Sequence, residues 1–342
     1  MSVAKRTLGR SGIEVSAIGF GAWAIGGPLW SPEGTALGWG EVDDDESLAA
    51  LRRALELGIT FIDTADVYGA GHSERIIGRA IAGRRDEVVI ATKFGNVFDE
   101  TTRTLTHTDV SPEYIRQACR ASLKRLGTDY IDLYQLHVGD MPLERVDETI
   151  ATLEDLVAEG LIRAYGWSSD DPERIAAFVK GPHCTAVQNQ MNLFEDAPRI
   201  LAVCEAYDLA SVNRGPLAMG LLTGKFSAGS TLPRDDVRGM NLEWLTYFSD
   251  GRPNPELLAR LDAVREILTS GGRTLAQGAL GWLLARNGRT VPIPGIRTVA
   301  QAEDNAGALR HGPLTAEQFT EVETLLRRWS PDTADAARTE PR

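Results

Sequence analysis

The sequence predicts an α/β fold in which eight parallel strands, each followed by a helical segment, close into a (β/α)8 barrel. Three observations carry the prediction. Short β-branched or aromatic runs alternate with segments of helical periodicity along nearly the whole chain. The runs are apolar throughout, as strands buried on both faces are, and do not alternate with polar residues. Residues able to do chemistry, Asp63, Lys93 and His137, each stand where such a run ends, which in a barrel is the mouth.

Taken in order, residues 7–16 hold a Gly-Arg-Ser-Gly turn between extended pieces and predict a hairpin ahead of the barrel. Strand one is 17–21. The connection 22–45 is long for a structureless loop and carries Trp23, Trp30 and Trp39, which predicts an aromatic wall over the site; the alternative is rings that only pack the loop onto the rim. Residues 46–57 have helical spacing at Leu48, Leu51 and Leu55 with Gly58 as C-cap, and strand two, 59–62, follows at once. A helix over 73–82 leads to strand three, 88–92, which runs into Lys93. Ser111, Pro112 and Glu113 are a cap, a first-turn proline and an early acid, opening a helix continued by Ile115, Cys119, Ser122 and Leu126. Strand four, 130–136, runs into His137; a helix marked by Val146, Ile150, Leu153 and Val157 stops at Gly160.

Strand five is 162–167 with Ser168 and Ser169 at its end, and Asp171 with Pro172 opens the next helix. Strand six is 185–188, a helix covers about 198–207, and strand seven is 209–213. Two helices, one through Leu257, Leu261, Val264 and Leu268 and one over 275–284, precede strand eight, 290–293. Residues 315–329 have helical spacing and are expected to pack outside the barrel. Without an internal linker, 1–329 is expected to form one domain, with 330–342 a frayed tail.

Composition sets outer bounds. The chain of 342 residues is 43% hydrophobic and 25% charged, as in soluble globular proteins. No apolar run reaches about 18 residues and the first dozen are too polar for a signal peptide, so a cytoplasmic location is expected. The net charge of −12 argues against nucleic-acid or anionic-membrane partners, but not against an anionic cofactor held by a few local cations. Cys119, Cys184 and Cys204 are odd in number and far apart, which fits neither a disulfide framework nor a metal site; buried reduced thiols are expected. Oligomeric state stays open.

The chemistry gathers around Asp63 and Tyr68. Consecutive parallel strands lie about 4.8 Å apart. Their ends therefore bring an acid, a phenol, an ammonium and an imidazole to one mouth. A phenol is a poor acid near neutrality; Lys93 is expected to lower the pKa of Tyr68, Asp63 to hold Lys93 charged, and His137 to hydrogen-bond a substrate oxygen. Any one of these residues alone reads more readily as structural; four together at strand ends reverse that reading. Gly19-Phe20-Gly21 lacks the third glycine of a Rossmann fingerprint, so the nucleotide route common in dehydrogenases is not favoured.

This tetrad resembles that of the aldo-keto reductases, as do four ordered blocks: 58–65, 123–137, 220–225 and 293–305. The resemblance spans about 7–309 and implies a TIM barrel that reduces aldehydes or ketones with NADPH. It further implies that Ser168 and Gln188 bind the nicotinamide carboxamide, that Leu217, Gly220, Leu221 and Lys225 line the pyrophosphate, and that Gly295, Arg297, Gln301 and Asn305 serve the adenosine end. Many relatives have asparagine where Ser169 stands, and a tyrosine against the nicotinamide where this chain has Arg214, whose guanidinium plane could stack instead. Val138 and Gly139 replace bulkier residues at the near wall. Arg297 is expected to grip the 2′-phosphate, against the alternative of a surface ion pair with Glu303 or Asp304. Trp244, Tyr247 and Phe248 in a long segment, 223–255, are expected to frame a substrate pocket with the loop tryptophans. An NADPH-binding sensor subunit is the alternative function. Reduction of a conjugated C=C bond is less favoured because His137 is retained.

Overall fold

In the computed structural model, residues 4–233, 236–240, 242 and 245–327 are described. The strands β1 (Phe20–Gly21), β2 (Phe61–Asp63), β3 (Val89–Phe94), β4 (Ile131–Leu136), β5 (Ile162–Ser168), β6 (Cys184–Gln190), β7 (Ala210–Arg214) and β8 (Thr290–Pro292) pair in chain order as one parallel sheet. The ring is closed by a parallel bridge between Gly21 and Gly295. This is the (β/α)8 barrel the alternation predicts.

The outer ring comprises α1 (Asp44–Glu56), α2 (His72–Ile81), α3 (Pro112–Leu126), α4 (Val146–Ala158), α5 (Pro172–Phe178), α6 (Pro198–Tyr207), α7 (Pro255–Thr269), α8 (Leu275–Arg286) and α9 (Val299–His311), with α10 (Ala316–Arg327) against α7 and α8. Their starts follow local chemistry: Asp43, Ser111, Asp171, Asn254, Thr274 and Thr298 each accept a first-turn N–H with their side chains. Strand one is shorter than expected. It pairs only over Phe20–Gly21, because residues 17 and 18 bend to meet the hairpin.

The expected N-terminal hairpin is present, Lys5–Thr7 against Glu14–Ser16. Its Leu8, Ile13 and Val15 fill the barrel floor against Phe61, Ala91, Leu133, Ala164, Ala186, Ala210, Val212 and Val291. These inward residues explain the site's position. Successive side chains of a strand alternate in direction, so the residue two further along points inward one layer higher. Above Phe61 comes Asp63, above Ala91 Lys93, above Leu133 Gln135 and above Ala186 Gln188. The floor is apolar and the next layer polar.

Two antiparallel hairpins were not foreseen: Asn96–Asp99 with Thr104–Thr108 after β3, and Phe248–Ser249 with Arg252–Pro253 before α7. Cys119, Cys184 and Cys204 are buried and free, each thiol pushed up to about 12 mainly by burial. Among the described residues no helix is long and apolar enough to cross a membrane. Trp244 and the tail 330–342 lie outside the described residues.

Candidate active site

Asp63 closes β2, is 2% exposed, and has three donors on its carboxylate. Lys93 Nζ reaches Oδ1 at 2.6 Å, while Gln188 Nε2 and Gln135 Nε2 reach Oδ2 at 2.7 and 3.0 Å. Charge-assisted bonds of this kind satisfy an ionised carboxylate away from water. Gln135 did not emerge from the sequence, although its place two residues after Leu133 on an inward face was a usable signal. Gln188, expected at the nicotinamide carboxamide, gives its amide nitrogen to Asp63, which leaves only its carbonyl oxygen for that role.

Lys93 lies inside β3, not beyond its end, and is wholly buried. Besides Asp63, its ammonium donates to Thr64 O at 2.8 Å and to the Tyr68 hydroxyl at 3.2 Å. Burial acts to discharge it, but Asp63 and Tyr68 together hold its pKa above the ordinary lysine value. Lys93 lowers the pKa of the Tyr68 phenol as expected, but not below the ordinary value. Burial pushes its pKa up, Lys93 pulls down, Asp63 pushes up again, and the sum lies above the ordinary tyrosine value. The ammonium therefore moderates the burial cost without making the free phenol more acidic than in water. Near neutrality Tyr68 keeps its proton and has one to give.

His137 follows β4 and anchors its N–H on Phe94 O at 2.8 Å. Its ring stands edge-on to Tyr68, centroids 5.9 Å apart. Burial first, then Lys93 and Arg214, holds the imidazole well below its ordinary pKa, so it is neutral and can donate one hydrogen bond. Its Nδ1 is buried without a partner.

Tyr68 is carried by the tight turn 64–71. Gly69, at φ +61°, lets that turn press against the long loop, since a Cβ there would lie 1.7 Å from Gly26 O. The loop covers the phenol: the Trp23 ring stacks on Tyr68 at 6.0 Å, and Trp39 meets Trp23 edge-on at 5.4 Å. Trp30 is not part of this wall. It is 37% exposed, and its backbone pairs with Arg103 and Leu105 of the first unforeseen hairpin, which draws it outward.

The stretch after β7 gathers positive charge around a left-handed turn. Ala218, Met219 and Gly220 all have positive φ, and a Cβ on Gly220 would lie 3.4 Å from Lys225 Nζ and 3.6 Å from Arg238 Nη1. Two cations thus crowd one glycine, with Asp236 paired to Arg238 at 2.6 Å. Arg238 also lies over the Trp39 ring at 4.7 Å. Leu217 and Leu221 are buried in the core, so only their backbone is available there. Arg238 is a second residue that the sequence did not single out.

At β8, Gly295 bridges Gly21 and has open space where a side chain would stand. Arg297 pairs with neither Glu303 nor Asp304: Glu303 binds Arg53, and Asp304 accepts hydrogen bonds from the side chains of Thr274 and Gln277. Its guanidinium instead donates to the carbonyls of Trp39, at 3.3 Å, and Glu41. Gln301 spends its amide oxygen on the N–H groups of Arg297 and Thr298, and Asn305 is buried on α9. Arg214 ends β7 with its edges on Gln190 and Asp170. Ser168, 8% exposed, closes β5, while Ser169 donates to Gly139 O at 3.4 Å. Val138 packs near Gly95, where a Cβ would lie 2.7 Å from its Cγ2.

Comparison with known proteins agrees with this geometry. The chain is 34% identical to the Bacillus subtilis uncharacterized oxidoreductase YqkF, over 94% of this chain and 95% of that protein. Its fold matches the glycerol dehydrogenase AKR11B4 from Gluconobacter oxydans with a TM-score of 0.81 at 30% identity, covering 97% of each chain. It also matches a Klebsiella pneumoniae aldo-keto reductase solved with NADPH, with a TM-score of 0.70 at 28% identity, covering 95% of this chain and 96% of that one. Residues 17–327 match the model of the aldo/keto reductase family, and the chain belongs to that family.

Proposed function

We propose that the protein is a cytoplasmic reductase that converts an aldehyde or ketone to an alcohol with NADPH, and that Tyr68 protonates the carbonyl oxygen. The observation that carries this reading is the buried chain Asp63, Lys93, Tyr68, with bonds of 2.6 and 3.2 Å. The Klebsiella relative's NADPH complex and the cationic cradle at Gly220 support the choice of cofactor.

When bound, NADPH supplies the hydride. The protein's own groups do the rest. Tyr68 gives its proton to the substrate oxygen, and Lys93, already at its hydroxyl, stabilises the phenolate left behind. Asp63 keeps Lys93 charged and aimed. Neutral His137 donates a hydrogen bond to the same oxygen and orients it. Trp23 and Trp39 exclude water above the phenol.

The cofactor-binding roles follow the positions above. Ser168 and the Gln188 carbonyl would take the carboxamide, and Arg214 the face of the nicotinamide. Lys225 and the backbone of Leu217, Gly220 and Leu221 would hold the pyrophosphate, and Gly295, Arg297, Gln301 and Asn305 the adenosine end. The test is loss of NADPH absorbance over a panel of aldehydes and ketones, with a parallel cofactor titration. Turnover on at least one carbonyl is expected; binding without turnover on every compound overturns the reading in favour of a sensor subunit.

A further inference from the structure

Arg214 is fixed in an unusual degree of detail for a residue at a barrel mouth. Its Nη1 donates to Gln190 Oε1 at 2.8 Å and its Nη2 to Asp170 Oδ2. Asp170 is itself tied, its Oδ1 accepting the Gln190 N–H at 2.7 Å. Gln190 in turn donates its side-chain amide to the Tyr247 hydroxyl. That hydroxyl also accepts from Asn192 Nδ2 at 2.7 Å and donates to Glu195 at 2.8 Å. The guanidinium is thus clamped along its edges from the β5 and β6 ends, and what remains free of a planar cation held this way is its face. Its charge is felt in the mouth, where it draws down the pKa values of both the Tyr68 phenol and the His137 imidazole.

A free cationic face suits a planar ring, but not equally in both redox states. The oxidised nicotinamide carries one positive charge more than the reduced ring. A lone guanidinium against it would favour the reduced cofactor and oppose hydride donation. Asp170 removes most of that bias by sharing the guanidinium edge. We propose that Asp170 is the counter-ion that cancels the Arg214 charge at the nicotinamide and thereby sets the relative affinity of the protein for NADP and NADPH. The inference rests on the reading that Arg214 faces the nicotinamide.

Both partners are part-exposed, with side chains 39% and 51% accessible, so solvent screening tempers the effect. Coulomb's law for unit charges at close range in a surface to partly shielded dielectric gives a change of about three- to thirtyfold. The experiment is fluorescence titration of NADP and NADPH on wild type, Asp170→Asn, Arg214→Gln and the double variant. Asp170→Asn is expected to raise the ratio of the NADP to the NADPH dissociation constant by that factor, more at low salt than at high. Arg214→Gln is expected to lower that ratio, and the double variant to bring it back toward the wild-type value, because the two charges act on the ring with opposite sign. Because the ratio is read on one preparation, an unfolded fraction cancels. An unchanged ratio in Asp170→Asn, or a ratio in the double variant as far from wild type as in Asp170→Asn, overturns the inference while leaving the nicotinamide reading in place. Arg214→Gln that leaves both dissociation constants at wild-type values overturns the nicotinamide reading, and the inference with it.

Discussion

Replacing Asp63 by asparagine tests the whole buried site, because two consequences follow from one missing charge. The carboxylate is 2% exposed and is the only anion bonded to the Lys93 ammonium among the described residues. Removing one partner of a buried ion pair costs about 3–5 kcal/mol. At roughly 2–4 °C per kcal/mol for a chain of this size or somewhat smaller, that is a fall of about 10 °C in Tm. Lys93 limits the loss by giving up its proton, since burial, the largest influence on it, is then opposed by Tyr68 alone. In wild type the lysine pKa is raised, so its stabilising contribution is complete below about pH 10.4 and is lost only above it. In Asp63→Asn the lysine pKa is lowered, the folded state binds fewer protons than the unfolded one, and stability rises with pH. Thermal melts at pH 6, 7.5 and 9 should therefore show the deficit of the variant shrinking as pH increases. The second consequence is kinetic: a neutral Lys93 no longer stabilises the Tyr68 phenolate, and kcat for carbonyl reduction should fall by at least about 10². A deficit that stays constant across the three pH values, or a kcat above one third of wild type, would refute the reasoning.

Tyr68→Phe removes the proton donor but little of the packing, so kcat should drop by at least about 10² while the NADPH dissociation constant, read by fluorescence titration, stays within a few-fold. Arg297→Ala should weaken NADPH binding at least about tenfold and NADH binding little, from a charge-assisted contact of about 1.5–3 kcal/mol; equal losses for both cofactors would show that it only ties down the loop carbonyls of Trp39 and Glu41. Asp66 is a buried acid with Oδ1 unpartnered and a pKa well above the ordinary carboxylate value, through burial and then Glu74, against Arg125, the Val67 N–H and Lys93. Its stabilising contribution is complete below about pH 3.8 and is lost as pH rises through the folded pKa, so Asp66→Asn should flatten the decline of Tm with pH above about 3.8; a decline as steep as that of wild type would count against it.

The barrel was legible because each strand is a short apolar run between helices whose caps are spelled out, as at Ser111 with Pro112 or Asp171 with Pro172. The gathering of Asp63, Lys93 and His137 at the mouth was legible because the inward period of two puts polar residues above the apolar floor, whereas Tyr68 stands on the turn 64–71. The hairpin at 96–108 was not, because its turn passes through Arg103 at φ +53° without the glycine that marks such conformations. Trp30 was assigned to the wall for the same reason, since only that hairpin shows which way its backbone is drawn. The cation that lowers the Tyr68 pKa is displayed by the sequence, and the burial that outweighs it is not. The clamp on Arg214 joins residues 170, 190, 195 and 247, whose separations follow no period that a scan could detect.

The N-terminal hairpin has a consequence for the order in which the molecule is made. Arg10 donates to the carbonyls of Val179, Gly181 and Cys184, and Leu8, Ile13 and Val15 lie among side chains from as far along as Val291. During synthesis Leu8, Ile13 and Val15 must wait for β8, the last strand of the barrel, before their own apolar surface is fully covered. Contacts of such long range are slow to form, and the exposed segment is open to aggregation in the interval. The segment is short, and charges at Lys5, Arg6, Arg10 and Glu14 flank its three apolar residues, which keeps the waiting chain soluble. Sealing of the floor is therefore a late event. A chain released before β8 would leave Leu8, Ile13 and Val15 without Val291 and Ile293, and the base of the barrel unclosed.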